Sequence, residues 1–227
     1  MAHTELVLRF PKAMTAAELA KLSPLIHPFL DLGAESSTHV VEPKFTYKVM
    51  HDPDPDNPRT SWDNIGVMHC AHTRYTLGDA GALTPFVDDD WRSGIERDDI
   101  YVTLPIYMYD HSGITISHSP FSCRWDSGLL GWHYITKQAV EKNWPSLQHD
   151  EVALRDAVER CLTSELKTYD QYLQGQVYGY RITDEEGDEV DSCWGFYGDD
   201  IESNGMLDSA GTEHAEGLRK AWNERFN

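Results

Sequence analysis

The chain has 227 residues and a formal net charge of −19, with 38 acidic and 19 basic side chains. Hydrophobic residues make up 40% of the sequence and aromatic residues 11%, which indicates a folded protein, because disordered acidic chains are poor in aromatic residues. Nucleic acids and anionic membranes are bound mainly by lysine and arginine, so a surface of this sign repels both. We therefore expect neither direct nucleic-acid binding nor membrane binding.

The N-terminal stretch MAHTELVLRFPKAM lacks the basic start and the apolar core of a signal peptide. No run of about 18 apolar residues follows it, so no transmembrane span is expected. The four cysteines form no C-x-x-C pair, and their wide spacing does not indicate a disulfide framework. These features together predict a cytoplasmic protein.

Strand and helix patterns are mixed along the first half of the chain. Alternating hydrophobic residues predict a strand over Thr4–Phe10, a capped helical pattern follows over Thr15–Leu30, and His39–Val49 is predicted to be extended. The prolines of HDPDPDNPRTSWDN exclude regular structure and predict a stiff, acidic surface loop. A short helix is expected around VDDDWRSG.

The second half contains the strongest helical pattern, Asp150–Leu173, in which leucine and valine recur on one face. A helix is also predicted over Glu213–Phe226. Strands and helices do not alternate regularly, so we expect an α+β fold with a mostly antiparallel sheet and helices packed on it. We expect a single domain over residues 1–227, with a small N-terminal subdomain over 1–50 as the alternative. The predicted strands after residue 60 are Ile65–Tyr75, Ile100–Tyr109, Ile114–His118, Trp132–Thr136, Val177–Thr183 and Glu189–Tyr197.

The segment YDHSGITISHSPFSCRWDSGLLG, residues 109–131, concentrates side chains that nucleophilic catalysis uses. Such catalysis requires a Ser or Cys within hydrogen-bond reach of a His that an acid orients. A metal-assisted or Cys/Ser hydrolase centred on residues 109–128 is therefore an alternative function, although no G-x-S-x-G motif is present. The other interpretation is a tight turn followed by a packed loop. The candidate catalytic residues are Asp110, His111, His118, Cys123 and Asp126.

Histidines and cysteines also form a weak zinc pattern. Positions 70 and 72 share one face of a predicted strand, and two further ligands from the segment 111–123 would complete a tetrahedral site. Only one pair is tightly spaced, so hydrogen-bonded histidines without a metal are the preferred interpretation. The acidic loop departs from a calcium-binding EF-hand at Asn57, where that loop requires glycine. We predict no metal site; the zinc alternative would use Cys70, His72, His118 and Cys123.

Nucleotide-binding motifs are absent from the sequence. It contains neither G-x-x-x-x-G-K-[ST] nor G-x-G-x-x-G, and no basic stripe interleaved with aromatic residues. We expect no cofactor.

The negative charge is concentrated in two stretches. Residues 51–100 contain eleven acidic and four basic side chains, and residues 151–200 contain thirteen and four, whereas residues 1–50 are balanced. Such surfaces attract basic proteins, although acidity also simply maintains solubility. The candidate partner-binding residues are Asp52, Asp54, Asp56, Asp88, Asp89, Asp90, Asp98 and Asp99 in the first stretch and Asp184, Glu185, Glu186, Asp188, Glu189 and Asp191 in the second.

Four blocks carry a resemblance to a known family: SWDNIGVMHCAHTRYTLGD, YMYDHSGITISHSPFSCRWDSGLLGWHYITK, TYDQYLQGQVYGYRI and EVDSCWGFYGDD. They resemble an uncharacterised family of small acidic proteins encoded by bacteriophages and other mobile elements, over residues 60–200. The family has no catalytic assignment to transfer. The resemblance implies an accessory protein that acts on host machinery in the host cytoplasm.

The charge and the resemblance lead to one hypothesis for function. Carboxylates would imitate the phosphates of DNA and occupy the basic groove of a host defence enzyme of the restriction or CRISPR type. Such an inhibitor need not be an enzyme. A third class of function is partner binding through exposed aromatic anchors, for which Trp125, Trp194 and Tyr197 are candidates. The oligomeric state stays open.

Overall fold

The computed structural model describes residues 44–123 and 125–225, without the side chain of Asp88. The predicted strand Thr4–Phe10 and helix Thr15–Leu30 lie outside these ranges. No helix in the described ranges is long and apolar enough to cross a membrane.

The described residues form seven strands and five α-helices, and short 3₁₀ turns lie in the connections. The strands β1 to β7 are Thr46–His51, Val67–Cys70, Ile100–Asp110, Ile114–Ser117, Ser127–Thr136, Val177–Thr183 and Glu189–Tyr197. The helices α1 to α5 are Pro58–Ser61, Lys137–Asn143, Glu151–Leu173, Met206–Ala210 and Ala215–Glu224.

Two antiparallel sheets organise the fold, with strand orders β1-β6-β7 and β2-β5-β3-β4. The predicted α+β class is confirmed, as is the long helix, which begins one residue after its N-cap Asp150. The Asp150 carboxylate accepts a hydrogen bond from the amide of Ala153, which satisfies a helix-start donor that has no partner within the helix. The strands predicted over Val177–Thr183 and Glu189–Tyr197 have the expected bounds and form a hairpin.

The chain divides into two compact units. In the described ranges, one unit comprises residues 44–50, 179–194 and 201–225, and the other comprises 51–178 and 195–200. The single domain expected over residues 1–227, with a possible N-terminal subdomain over 1–50, stays a prediction.

In the larger unit, helix α3 packs on one face of the four-stranded sheet. The apolar side of α3 buries Leu154, Val158, Leu162 and Leu166, as the helical periodicity predicts. Two clusters of buried side chains fill the space between helix and sheet. They contain Met68, Ile106, Met108, Ile116, Leu130, Leu166 and Tyr169 in one, and Val102, Ile135, Val140, Leu154, Val158 and Leu162 in the other.

A β-bulge in β5 changes which side chains face the helix. Ile106 pairs with Gly131 and its neighbour Tyr107 pairs with Leu129, so Leu130 is the extra residue. The bulge lets Leu130 enter the core while Leu129 remains 39% exposed. Pro105, which has no backbone amide to donate, lies beside this bulge at a position where β4 does not pair with β3.

The segment between β2 and β3 packs on part of the opposite face of this sheet. Buried Phe86 packs edge-on against Trp132, and the hydroxyl of Tyr134 donates to the carbonyl of Leu83 over 2.9 Å. His69 is within hydrogen-bond distance of the carbonyl of Ala82, at 2.9 Å. This segment is therefore fixed to the sheet at several points.

In the smaller unit, aromatic side chains of β6 and of helix α5 are buried. Tyr180 is 1% exposed, and its hydroxyl donates to Asp191 over 2.7 Å. Leu218 and Trp222 of α5 are also buried, which fits the predicted C-terminal helix.

Several local predictions differ from the structure. Pro58–Ser61 forms one helical turn where the prolines predicted a loop, because proline is compatible with the first position of a helix. Strand β2 ends at Cys70 rather than at residue 75. The short helix expected around VDDDWRSG is a pair of 3₁₀ turns, Val87–Asp89 and Trp91–Ser93.

Candidate functional site

Most of the candidate acidic residues lie in loops and turns, whereas Glu189 and Asp191 lie on strand β7, and most of the side chains reach solvent. Asp52, Asp184 and Asp191 are partly buried. Two of the residues form ion pairs with nearby basic side chains, Asp99 with Arg97 and Glu189 with Arg181 of the neighbouring strand. The exposed ones are Asp54, Asp56, Asp89, Asp90, Asp98, Asp99, Glu185, Glu186, Asp188 and Glu189.

The loop over residues 52–56 is held in place by its own backbone and by β7. The Asp52 carboxylate accepts hydrogen bonds from the amides of Asp54 and Gly195, at 3.0 and 3.1 Å. The hydroxyl of Tyr197 donates to the carbonyl of Asp56. Asp54 and Asp56 therefore project from an ordered loop.

The segment 86–99 forms a second acidic group with different supports. A bridge pairs Phe86 with Glu96, and the amide of Val87 donates to the carbonyl of Ile95 over 2.9 Å. The turn between them carries Asp88–Asp90, and Asp89 has a left-handed φ of 58°. The segment contains six acidic and two basic side chains. The third group, residues 184–191, surrounds the turn of the β6–β7 hairpin.

Three of the five candidate catalytic residues come together. The Asp126 carboxylate oxygen Oδ2 lies 3.6 Å from Nδ1 of His111 and 3.7 Å from Sγ of Cys123. The carbonyl of Cys123 accepts a hydrogen bond from the hydroxyl of Ser127. The cluster is open to solvent, because the His111 side chain is 65% exposed. A thiol, a carboxylate and an imidazole thus share one surface.

The other two candidates have different partners. Asp110 accepts hydrogen bonds from Arg74 at 2.6 Å and from the hydroxyl of Tyr75 at 3.1 Å. His118 lies with Nε2 3.3 Å from Nδ1 of His133. A single five-residue site over 109–128 is therefore not formed.

The four candidate zinc ligands have four separate sets of neighbours. Burial and the charge of Asp79 raise the pKa of the Cys70 thiol to about 12. His72 lies beyond the end of β2 and stacks on Tyr75. His118 and Cys123 have the partners described above. Among the described residues, no three His, Cys, Asp or Glu side chains are arranged to hold a metal ion.

The aromatic anchor candidates differ in exposure. Trp125 is 94% exposed, Trp194 is 37% exposed, and Tyr197 is partly buried with its ring 4.9 Å from that of Trp62. Of the three, Trp125 is the most accessible to a partner.

A buried ionic network that the sequence analysis did not anticipate joins α1, α3 and the sheet. The side chain of Arg59 is 1% exposed and forms a two-pronged contact with Asp79, both distances being 2.7 Å. Its guanidinium also donates to Glu165 over 3.0 Å and to the carbonyl of Gly66 over 2.8 Å. Paired and fully hydrogen-bonded charges are the form in which ions are tolerated in a protein interior.

Two histidines extend this network toward the surface. Nε2 of buried His133 lies 3.3 Å from Glu165, and Nδ1 lies 3.3 Å from His118. Burial opposes ionisation of Glu165, but hydrogen bonds from His133 and from the amides of Ile65 and Gly66 outweigh it and lower the Glu165 pKa. The resulting carboxylate accepts the Nε2 proton of His133, so His133 Nδ1 is left to accept a proton from His118.

Burial keeps both histidines neutral. It is the largest effect on His133, whose pKa is lowered despite its hydrogen bond to Glu165. Burial and the neighbouring His133 lower the pKa of His118 to about 4. This arrangement fixes the proton of His133 on Nε2, where Glu165 accepts it. It also connects the partly exposed imidazole of His118 to helix α3 through hydrogen bonds.

Comparison with protein-family models, with curated proteins and with solved structures finds no match for this chain.

Proposed function

We propose that this protein is an accessory protein of a phage or mobile element that inhibits a host nucleic-acid-binding defence enzyme by occupying its basic groove. The observation that carries the proposal is the placement of its acidic side chains. They project to solvent from ordered loops and a hairpin turn, in a chain with a net charge of −19. Carboxylates held in this way steer a basic partner by long-range attraction.

Rigidity of the acidic loops supports this function. A flexible acidic tail loses conformational freedom when it binds, whereas a pre-ordered surface loses less and gains affinity. Residues 52–56 and 86–99 are each fixed by backbone hydrogen bonds to neighbouring segments. The resemblance to phage-encoded acidic proteins supports a target in the host.

Capture from a bacterial lysate on the immobilised full-length protein tests the proposal. A nucleic-acid-binding enzyme should elute at moderate salt, and duplex DNA should prevent its capture. Asp89→Asn with Asp98→Asn, and separately Glu185→Gln with Glu186→Gln, should weaken capture. A control that changes the net charge equally, Glu141→Gln with Asp156→Asn, alters exposed acids of α2 and α3 and should not.

Equal capture by all variants would contradict the proposal, because the effect would then depend on none of the named groups. Capture that duplex DNA does not disturb would also contradict it.

The cluster of His111, Cys123 and Asp126 supports a second candidate, a thiol-dependent hydrolase. The observation is that Oδ2 of Asp126 lies 3.6 Å from the imidazole and 3.7 Å from the thiol, so catalysis would need a side-chain rotation that brings the imidazole to the thiol while Asp126 orients it. Iodoacetamide should then alkylate Cys123 faster than the comparably accessible Cys193, and His111→Ala should slow it. Equal rates for both thiols would exclude an activated nucleophile.

A further inference from the structure

A groove of about 600 Å³ lies between the segment 82–91 and the adjoining strands of the four-stranded sheet. Its walls combine aromatic and aliphatic side chains with a few polar groups. This volume is within the range of small-molecule and side-chain pockets. The side chains most relevant to binding are His69, Leu83, Asp89, Trp91, Leu129 and Trp132.

The groove follows from the local sequence. His69 and Trp132 are direct cross-strand partners, so they share the sheet face opposite to helix α3. The β5 bulge adds Leu129 to the groove, and Trp91 lies with its ring 6.4 Å from that of Trp132. The segment 82–91 thus covers only part of an aromatic sheet face.

Large apolar side chains around the groove remain unusually accessible. Leu83 is 68% exposed, Ile95 59%, Trp91 44% and Val87 40%. Isolated exposed apolar residues are common, but a group of them beside an apolar groove is typical of an interaction surface.

The charge around the groove selects the kind of partner. Asp89 lines the groove, and Asp90, Glu96 and Asp98 are exposed in the same segment. The basic residues are already engaged, since Arg92 lies over the Trp91 ring at 4.7 Å and Arg97 pairs with Asp99. An apolar groove with an acidic rim is complementary to a basic segment that carries a large apolar side chain.

We propose that this groove binds an amphipathic basic segment of a protein partner, whose apolar side chain inserts beside Trp91 and Trp132 while its lysine or arginine side chains contact the acidic rim. The inference rests on the proposed function and adds an apolar anchor to it. DNA has no apolar groove that could receive this side chain. The partner would therefore bind this protein through a contact that it does not make with DNA.

Two short Lys/Leu peptides of identical composition test the inference by fluorescence anisotropy with the full-length protein. In one, the leucines share a helical face; in its scrambled isomer they do not. Leucines on one face can bury at least one more leucine against the groove and its exposed apolar rim than the scrambled isomer can. Burial of one leucine is worth about 1.5–3 kcal/mol, so the amphipathic peptide should bind at least about tenfold more tightly than its isomer. Leu83→Ser and Trp91→Ser should each reduce that difference.

Matched variants separate the groove from other exposed apolar sites. Val152→Ser alters a 73% exposed valine of α3 and should not change the preference. Asp89→Asn with Asp98→Asn should weaken both peptides by a similar factor.

Equal binding of the two isomers would overturn the inference, and so would a preference that survives Leu83→Ser and Trp91→Ser. If the acidic substitutions still weaken both peptides in that case, the proposed function stands without the groove. If the acidic substitutions also have no effect, the proposed function fails with it.

Discussion

Arg59 is the residue whose chemistry depends most on its surroundings. It contacts Asp79 and Glu165, which lie 20 and 106 positions away along the chain. The two-pronged contact with Asp79 uses the planar fork of the guanidinium, which lysine cannot reproduce. Removal of Arg59 would leave two carboxylates with low exposure and no counter-charge.

Arg59→Met is therefore expected to lower the free energy of unfolding by about 3–5 kcal/mol. Arg155→Ala is the matched control, because Arg155 forms only an exposed pair with Glu159 within α3, and it should cost less than about 1 kcal/mol. Urea denaturation measures both values. Similar small losses in the two variants would show that the buried network does not stabilise the fold.

The lowered pKa of His118 makes the stability of the fold decrease as the pH falls. Its pKa falls from 6.5 to about 4 on folding, so the folded protein binds a proton less readily than the unfolded chain. The contribution of neutral His118 is complete above pH 6.5 and is lost as the pH falls toward 4. Buried His133, with its pKa also lowered, acts in the same direction.

The urea midpoint should therefore fall between about pH 7 and about pH 5, and His118→Gln should make that fall smaller. The glutamine amide can still donate a hydrogen bond to His133 but does not titrate. His149→Gln, at an exposed position, should leave the pH profile unchanged. Identical profiles for the wild type and His118→Gln would contradict the assignment.

The roles of Arg59 and His118 could not be predicted from the sequence. His118 is a catalytic and zinc-binding candidate from the sequence, and in the structure it lies against His133 and not beside Cys123. Arg59 was assigned to a surface loop. No local pattern marks either role, because the partners come from distant elements and only the tertiary fold brings them together.

At the scale of elements, local patterns were informative where the periodicity was long. Helix α3 and the β6–β7 hairpin match their predicted bounds, because regular burial over many residues and a glycine-containing turn specify them. The β5 strand was predicted too short. Its first residues include Gly128, Leu130 and Gly131, and the bulge interrupts the alternation on which the prediction depends.

Strands β2 and β5 approach so closely at Gly131 that the position has no room for a side chain. A Cβ added there would overlap the carbonyl oxygen of His69, whereas a Cβ at Gly128 of the same strand would meet no atom within 4 Å. Gly131→Ala should lower the free energy of unfolding by about 1–3 kcal/mol, since backbone must move to accommodate the methyl group. Gly128→Ala is the control in the same denaturation experiment. Equal effects would contradict the close β2–β5 register.

At the scale of the whole molecule, net charge is the property that the sequence conveys most directly. The charge of −19 predicts repulsion of nucleic acids and attraction of basic partners that weakens as salt is added. Sequence reasoning also identified which stretches carry that charge. It did not anticipate that the segment 86–99 borders an aromatic groove, because the groove requires Trp132 and Leu129 from a distant strand.

Displacement of DNA tests whether the exposed carboxylates occupy the nucleic-acid groove of the captured enzyme. Labelled duplex DNA bound to the purified captured enzyme is titrated with the full-length protein, and anisotropy reports the bound fraction. DNA should be released, and added salt or substitution of the acidic residues should weaken the release. The proposed function would be contradicted if DNA stayed bound in a ternary complex. It would also be contradicted if the variants with Asn or Gln in place of the acidic residues displaced DNA as well as the wild type does.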